Sequence, residues 1–264
     1  MGLSAMKYVG FENFTFALGD SWFWKSLWNT TWIALASGAP QHLIAIPLAF
    51  FINQSFKKWR NPVLGMYFLP YITSTVAIAM IFGTLFSRDF GVINAAIAGL
   101  AKLPLLGAIL PTENINWLGN KLFIKPAVSF VIVWRYVGWN TVLYLAAMQT
   151  IPKDLYEAAR MDGANTRQQF FNITLPMIRP MMFFAISLTI IGNLQIFEEP
   201  FILMGPSGGL GQTALTSAMF MYRTAFEFND FGTASAMSWM LFLLIGVLTV
   251  VNNKIFATDD GRNG

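Results

Sequence analysis

The sequence predicts an all-α integral membrane protein of about five transmembrane helices. Hydrophobic residues make up 55% of the 264-residue chain and charged residues 11%, against about 25% charged in a soluble domain. Several apolar runs reach the roughly 20 residues that a helix needs to cross a bilayer. The remaining charges gather between those runs, most densely from Glu157 to Pro176. The chain has no cysteine, which excludes disulfides, thiolate metal sites and cysteine nucleophiles. Its one histidine, His42, sits in an apolar run and reads as a packed polar residue. The formal charge of +4 follows from membrane topology, not from nucleic-acid binding.

Met1 to Leu27 is mixed and aromatic, without a basic start and apolar core, so it is no signal peptide but a surface segment with interfacial Trp22 and Trp24. Span one runs from about Trp28 to Ile52, with kinks expected at Pro40 and Pro47. Lys57, Lys58 and Arg60 then mark a cytoplasmic loop. Span two, about Pro62 to Phe86, leads outward. Arg88 to Phe123 is rich in small residues and broken by Gly99, Pro104 and Gly107, which predicts a horizontal or re-entrant helix. Span three, Ile124 to Met148, returns inward. Span four covers about Met177 to Leu203, a glycine-rich external segment with a flexible GPSGGLG turn follows, and span five covers about Phe231 to Val251. With this orientation Lys57, Lys58, Arg60, Lys153, Arg160, Arg167, Arg179, Lys254 and Arg262 lie inside, in segments about half as long as the outer ones. That basic density satisfies the positive-inside rule.

The loop between spans three and four has internal structure. Pro152 suits the first turn of a helix, and Asp154 complements its positive N-terminal end. Gly163 supplies a left-handed stop. Thr166 with Gln169 reads as a capping box for a second short helix, which Pro176 separates from the next span. Leu155, Ala158, Ala159 and Asp162 share one face of the first helix, and Lys153 and Glu157 are spaced for an ion pair. Small alanines on an exposed helix let another protein's surface approach, so the first helix reads as a docking helix.

Glu157-Ala158-Ala159, Gly163, Ile173 and Leu175-Pro176, at their spacing, resemble the EAA loop of permease subunits in ATP-binding-cassette importers. VGFENF (Val9–Phe14), FWKSLWNT (Phe23–Thr30), LPYITS (Leu69–Ser74), GVIN (Gly91–Asn94) and FGTASAMS (Phe231–Ser238) extend the resemblance to carbohydrate-type permeases, and the closing NNKIF to the maltose F-type partner. The resemblance implies a single transmembrane domain over 1–264 in a bacterial or archaeal cytoplasmic membrane, with a cytoplasmic coupling loop at 149–180. It gives Glu157, Ala158, Ala159, Asp162, Gly163, Ala164, Ile173, Leu175 and Pro176 the role of coupling to an ATPase. It further implies two ATPase subunits holding ATP and magnesium, a second EAA-type permease, an external solute-binding protein and a sugar substrate. Family members commonly carry a span before the VGFENF signpost, so five spans, or six with the first outside the given sequence, both stand.

Arg135 falls near the middle of span three, where an unpaired charge costs several kcal/mol and demands a partner or a watery cavity. Tyr136 and Trp139 share its neighbourhood at helical spacing, while Asn193, Gln195, Glu198 and Glu199 interrupt span four, where the two glutamates offer a counter-ion. In maltose-type permeases the substrate contacts lie on the helices flanking the EAA loop, which carries Arg135, Tyr136, Trp139, Asn193, Gln195, Glu198 and Glu199 over as candidates. Two readings stand open: a sugar site of aromatic and polar groups, or an aromatic girdle with a structural ion pair. Neighbouring glutamates on a helix point about 100° apart and cannot flank one glycosidic bond, which argues against a membrane-embedded hydrolase. No GxxxxGK[ST] is present, so ATP hydrolysis falls to a partner subunit. A polyol or glycerol-phosphate importer, and a passive channel or scaffold, are the remaining alternatives.

Overall fold

An apolar segment in a bilayer has no water to bond with, and an α-helix satisfies the backbone within one segment. The computed structural model describes residues 7–55, 60–103, 106–111 and 113–256, and every regular element among them is helical. Lys57, Lys58, Pro104 and Arg262 lie outside the described residues. Helix α1 (Glu12–Gly19) precedes α2 (Ser21–Ser55), which stays continuous past Pro40 and Pro47. Next come α3 (Arg60–Ile72) and α4 (Thr75–Leu85), then α5 (Val92–Leu100), the short helix expected in the segment after span two. Long α6 (Lys121–Gln149) is followed by α7 (Lys153–Met161) and α8 (Thr166–Gln169). A π-helical turn, Phe170–Thr174, and α9 (Leu175–Met177) lead into α10 (Arg179–Leu194). The chain continues through α11 (Glu198–Met204), α12 (Ser217–Phe226) and α13 (Phe231–Phe256).

Among the described residues four helical segments are long and apolar enough to cross a membrane: α2, α6, α13 and the α10–α11 unit from Arg179 to Met204. The fifth is α3 with α4, bent by 92° between Ile72 and Thr75. The single span expected from Pro62 to Phe86 is therefore two helices in different directions. Helix α6 is central, packed along α2 and against α3, α10 and α11, while α13 packs on α10, α12 and α1. A Cβ at Gly138 of α6 would fall on the Tyr67 carbonyl, so this glycine is what lets α3 close onto α6.

Buried polar pairs fasten the bundle. Asn140 donates to Gln41 at 3.1 Å, and Asn252 to Ser187 at 2.9 Å. His42 bridges Tyr144 at 2.7 Å and Thr189 at 3.0 Å, which bears out its reading as a packed polar residue. Such interhelical bonds are worth about 0.6 kcal/mol each in a membrane. The segment after α11 is not a loose loop. Thr216 donates to the Ile196 carbonyl at 2.8 Å, the Ser217 N–H donates to Thr30 at 2.7 Å, and α12 packs between α2 and α13. Arg179 donates to the Ile255 carbonyl at 2.8 Å. The loop ahead of α10 and the C-terminal end of α13 therefore share one end of the bundle, and the α12–α13 junction lies at the other.

Candidate functional site

The loop from Ile151 to Pro176 is built by its caps. Pro152 is extended (φ −57°, ψ 131°) and sits at the N-cap, one residue before the first helical turn of α7. Asp154 falls in that first turn, where the helix dipole favours it. At the other end Gly163 takes φ +83°, its N–H donates to the Arg160 carbonyl at 3.0 Å, and the Ala164 N–H reaches back to Ala159 at 2.8 Å. These two bonds form a Schellman stop. The following capping box is one residue earlier than the sequence suggests. Asn165 caps the Gln168 N–H at 2.9 Å and Gln168 returns a bond to the Asn165 N–H at 2.8 Å, because Asn165 is the last residue left extended before α8. Pro176 does not separate α8 from the next span; the chain runs helically from Thr166 through the π turn to Met177 and resumes at Arg179.

The loop has two faces. No residue of α7 is buried. Glu157, Ala158, Asp162 and Gly163 are exposed, Leu155 is 43% and Met161 88% exposed, and Ala159 and Ala164 are half-buried. Ile173 and Leu175 turn the other way and pack on a core cluster of Ala45, Ile52, Met148, Ile151 and Ile178, which joins α2, α6 and α10. Tyr156 ties the faces together through a 2.8 Å bond between its hydroxyl and that of Thr174. Among the described residues the ion pairs are Arg135–Glu199 and Arg223–Glu227, so the expected Lys153–Glu157 pair does not form. A nine-residue helix is marginal alone, and α7 is held by its caps and this tether.

The second constellation lies at mid-bundle, where two broken helices meet α6. Arg135 donates to Glu199 at 2.6 Å, with side chains 12% and 4% exposed. Its guanidinium carbon stands 5.4 Å from the Tyr136 ring centre, and its Nε is buried without a protein partner. Tyr71, at the end of α3, stacks on Trp139 at 4.5 Å and 18°, contacts Tyr136 at 5.8 Å, and Phe68 lies 5.9 Å from Trp139. Thr75, first residue of α4, donates to Glu198, first residue of α11, at 2.6 Å. The 92° bend and the α10–α11 break thus open onto one face of α6. Broken helices at membrane depth place backbone and polar side chains where a continuous helix could not, and they occur where they border protein or a water-filled cavity.

Among the described residues no group of three or more His, Cys, Asp or Glu is placed to hold a metal ion. Residues 43–257 match the family described as Binding-protein-dependent transport system inner membrane component. The chain belongs to that family. The Arabinooligosaccharides transport system permease protein AraP of Bacillus subtilis (strain 168) is 31% identical over 263 residues, covering 97% of this chain and 79% of that relative. The Sulfoquinovosyl glycerol transport system permease protein SmoG of Agrobacterium fabrum (strain C58 / ATCC 33970) is 32% identical over 260 residues, covering 98% and 80%. A solved bacterial alginate ABC transporter in complex with alginate pentasaccharide-bound periplasmic protein aligns at TM-score 0.79 and 25% identity, over 95% of this chain and 85% of that one.

Within this permease the candidate substrate residues separate. Arg135, Tyr136, Glu198 and Glu199 come together, and Trp139 joins them through Tyr71. Gln195 is exposed at the break itself. Asn193 is instead buried, donating to Ser37 at 3.0 Å and to the Ala34 carbonyl at 3.3 Å, so its amide fastens α10 to α2. Phe68, Tyr71 and Thr75 belong to the cluster although residue spacing alone misses them. Their signal is LPYITS, where Pro70 and the polar Thr73-Ser74 interrupt an apolar run.

Proposed function

We propose that this permease is the translocation subunit of an ATP-driven importer that takes a sugar or oligosaccharide from an external solute-binding protein and passes it across by alternating access. The observation that carries this reading is the two-faced loop: an α7 with no buried residue, tethered to an apolar cluster shared by α2, α6 and α10. Glu157, Ala158, Ala159, Asp162, Gly163 and Ala164 form the docking side for one of two ATPase subunits, which hold ATP and magnesium. Ile173, Leu175 and Pro176 form the transmitting side. When the ATPases close, a push on α7 reaches α6 and α10 through Tyr156–Thr174 and the Ile173–Leu175 contacts, because close-packed interiors transmit strain. A second permease of the same type completes the pathway, with the loop facing the cytoplasm and the α12–α13 end facing the binding protein.

The mid-bundle cluster is the substrate contact. Tyr71, Tyr136 and Trp139 offer ring faces for the apolar face of a pyranose, and Gln195, Glu198 and Glu199 offer hydroxyl partners. A sugar fits the names of the relatives, which cover arabinooligosaccharides and a sulfoquinovosyl glycerol, and the alginate pentasaccharide of the solved transporter. The sulfoquinovosyl glycerol name keeps a glycerol-type solute as the second reading. The test is ATP-dependent uptake in proteoliposomes holding the co-purified complex and its binding protein. Glu157→Lys and Gly163→Asp are expected to insert normally and to abolish uptake and stimulated ATP hydrolysis. Unaltered uptake in both would overturn the coupling role.

A further inference from the structure

We infer that this chain's lining of the mid-membrane site selects against acidic saccharides and admits neutral or amine-bearing ones. The inference rests on reading that cluster as the substrate site. Family membership leaves the charge class open, so it must come from the residues themselves. Tyr136 lies within electrostatic range of Arg135, Glu198, Glu199 and the second phenol Tyr71, which gathers one guanidinium and two carboxylates around it. Arg135 is already committed. It meets Glu199 at 2.6 Å with both side chains almost covered, so a substrate anion reaching its unpartnered Nε would meet a guanidinium whose charge Glu199 already balances. Glu198 is different. It is exposed, it accepts a 2.6 Å hydrogen bond from the neutral Thr75 hydroxyl, and among the described residues it belongs to neither ion pair. The hydroxyl satisfies a lone pair without cancelling the charge.

The local sum is one guanidinium against two carboxylates, a net charge of −1 beside the Tyr71–Trp139 stack. A uronate or sulfonate brought to within about 5 Å of Glu198 meets its own sign. At an effective dielectric constant of about 20 the opposition is on the order of a hundredfold, falling to about fourfold where water screens it. An ammonium group gains by a similar factor. Arg135 therefore acts here as the holder of Glu199, and Glu198 is the specificity-determining charge.

The absence of native cysteine allows a test that does not depend on the substrate or on the binding protein. A single Gln195→Cys change places a thiol at the exposed break, three residues from Glu198, in the otherwise cysteine-free chain of the intact complex. Its modification rates with a cationic and an anionic methanethiosulfonate are each divided by the rate for a free thiol. The cationic reagent is expected to be favoured at least tenfold, and Glu198→Gln should bring the ratio near one. A ratio near one with Glu198 intact, or a preference for the anionic reagent, overturns the charge selection and leaves the sugar reading standing. If neither reagent reacts, the break is not open to water, and the substrate-site reading falls together with this inference.

Discussion

Removing one member of the Arg135–Glu199 pair should cost far more than removing both. The pair is 2.6 Å long, with side chains 12% and 4% exposed, so either partner left alone is a buried uncompensated charge. Such single deletions cost about 3–5 kcal/mol, while replacing a buried pair by neutral groups of similar volume is close to neutral. Arg135→Met and Glu199→Gln are each expected to destabilise by about 3 kcal/mol. The double variant should be destabilised by about 1–2 kcal/mol, because no buried charge is left unpaired and the loss is that of the guanidinium's contact with Tyr136 and part of the packing. The coupling energy of the cycle is then about 4–5 kcal/mol, large for neighbouring residues. Reversible unfolding in mixed micelles, followed by circular dichroism, measures all four corners. Single changes that each cost less than about 1 kcal/mol, or costs that simply add, would refute the buried-pair reasoning.

Three further outcomes follow from other contacts. Tyr156→Phe deletes the hydroxyl bond to Thr174 and should loosen α7 by about 1 kcal/mol, read as roughly fivefold faster amide exchange across Lys153–Met161 with the spans unchanged; unchanged exchange would mean the tether is not holding the helix. Gly138→Ala puts a methyl group on the Tyr67 carbonyl, forces α3 off α6 and should cost about 1–3 kcal/mol in the same unfolding assay, with wild-type stability as the contrary result. Trp139→Ala removes the ring stacked on Tyr71 and should raise the KM for saccharide uptake about two- to tenfold with little change in expression; an unchanged KM would take Trp139 out of the binding surface.

Much of this was legible because the bilayer simplifies sequence. Apolar runs of bilayer length have to be helices, so the fold class and four of the five segments follow from hydropathy. The α7 stop followed from Gly163, since a left-handed residue at that point is what a glycine permits. The Arg135–Glu199 pair followed from the cost of an unpaired charge at membrane depth, which forces a partner onto a facing helix. What escaped was direction. Hydropathy averaged over Pro62 to Phe86 has no term for a 92° turn, and the turn is what brings Tyr71 and Thr75 to α6. Asn193 looked like a substrate contact because it is polar within a span, but only the position of α2 reveals that Ala34 and Ser37 consume its amide. The capping box moved by one residue because Asn and Thr are both competent caps, and the backbone of Asn165 decides between them. The segment from Gly205 to Phe228 read as external with a flexible GPSGGLG turn, and local spacing carries no sign that Thr30 and Ile196 hold α12 in place through bonds that join residues far apart in sequence.

The proposed coupling to an ATPase rests on the exposed side of α7. Ala158→Cys supplies one thiol on that side, and a short bifunctional thiol cross-linker applied to membranes holding the assembled complex reports what lies against it. The expected product joins this chain to the ATPase subunit, in a yield that changes when ATP is added. No ATPase adduct, together with labelling of the same thiol by a membrane-impermeant maleimide added outside intact cells, would put α7 in the wrong compartment and contradict coupling through it.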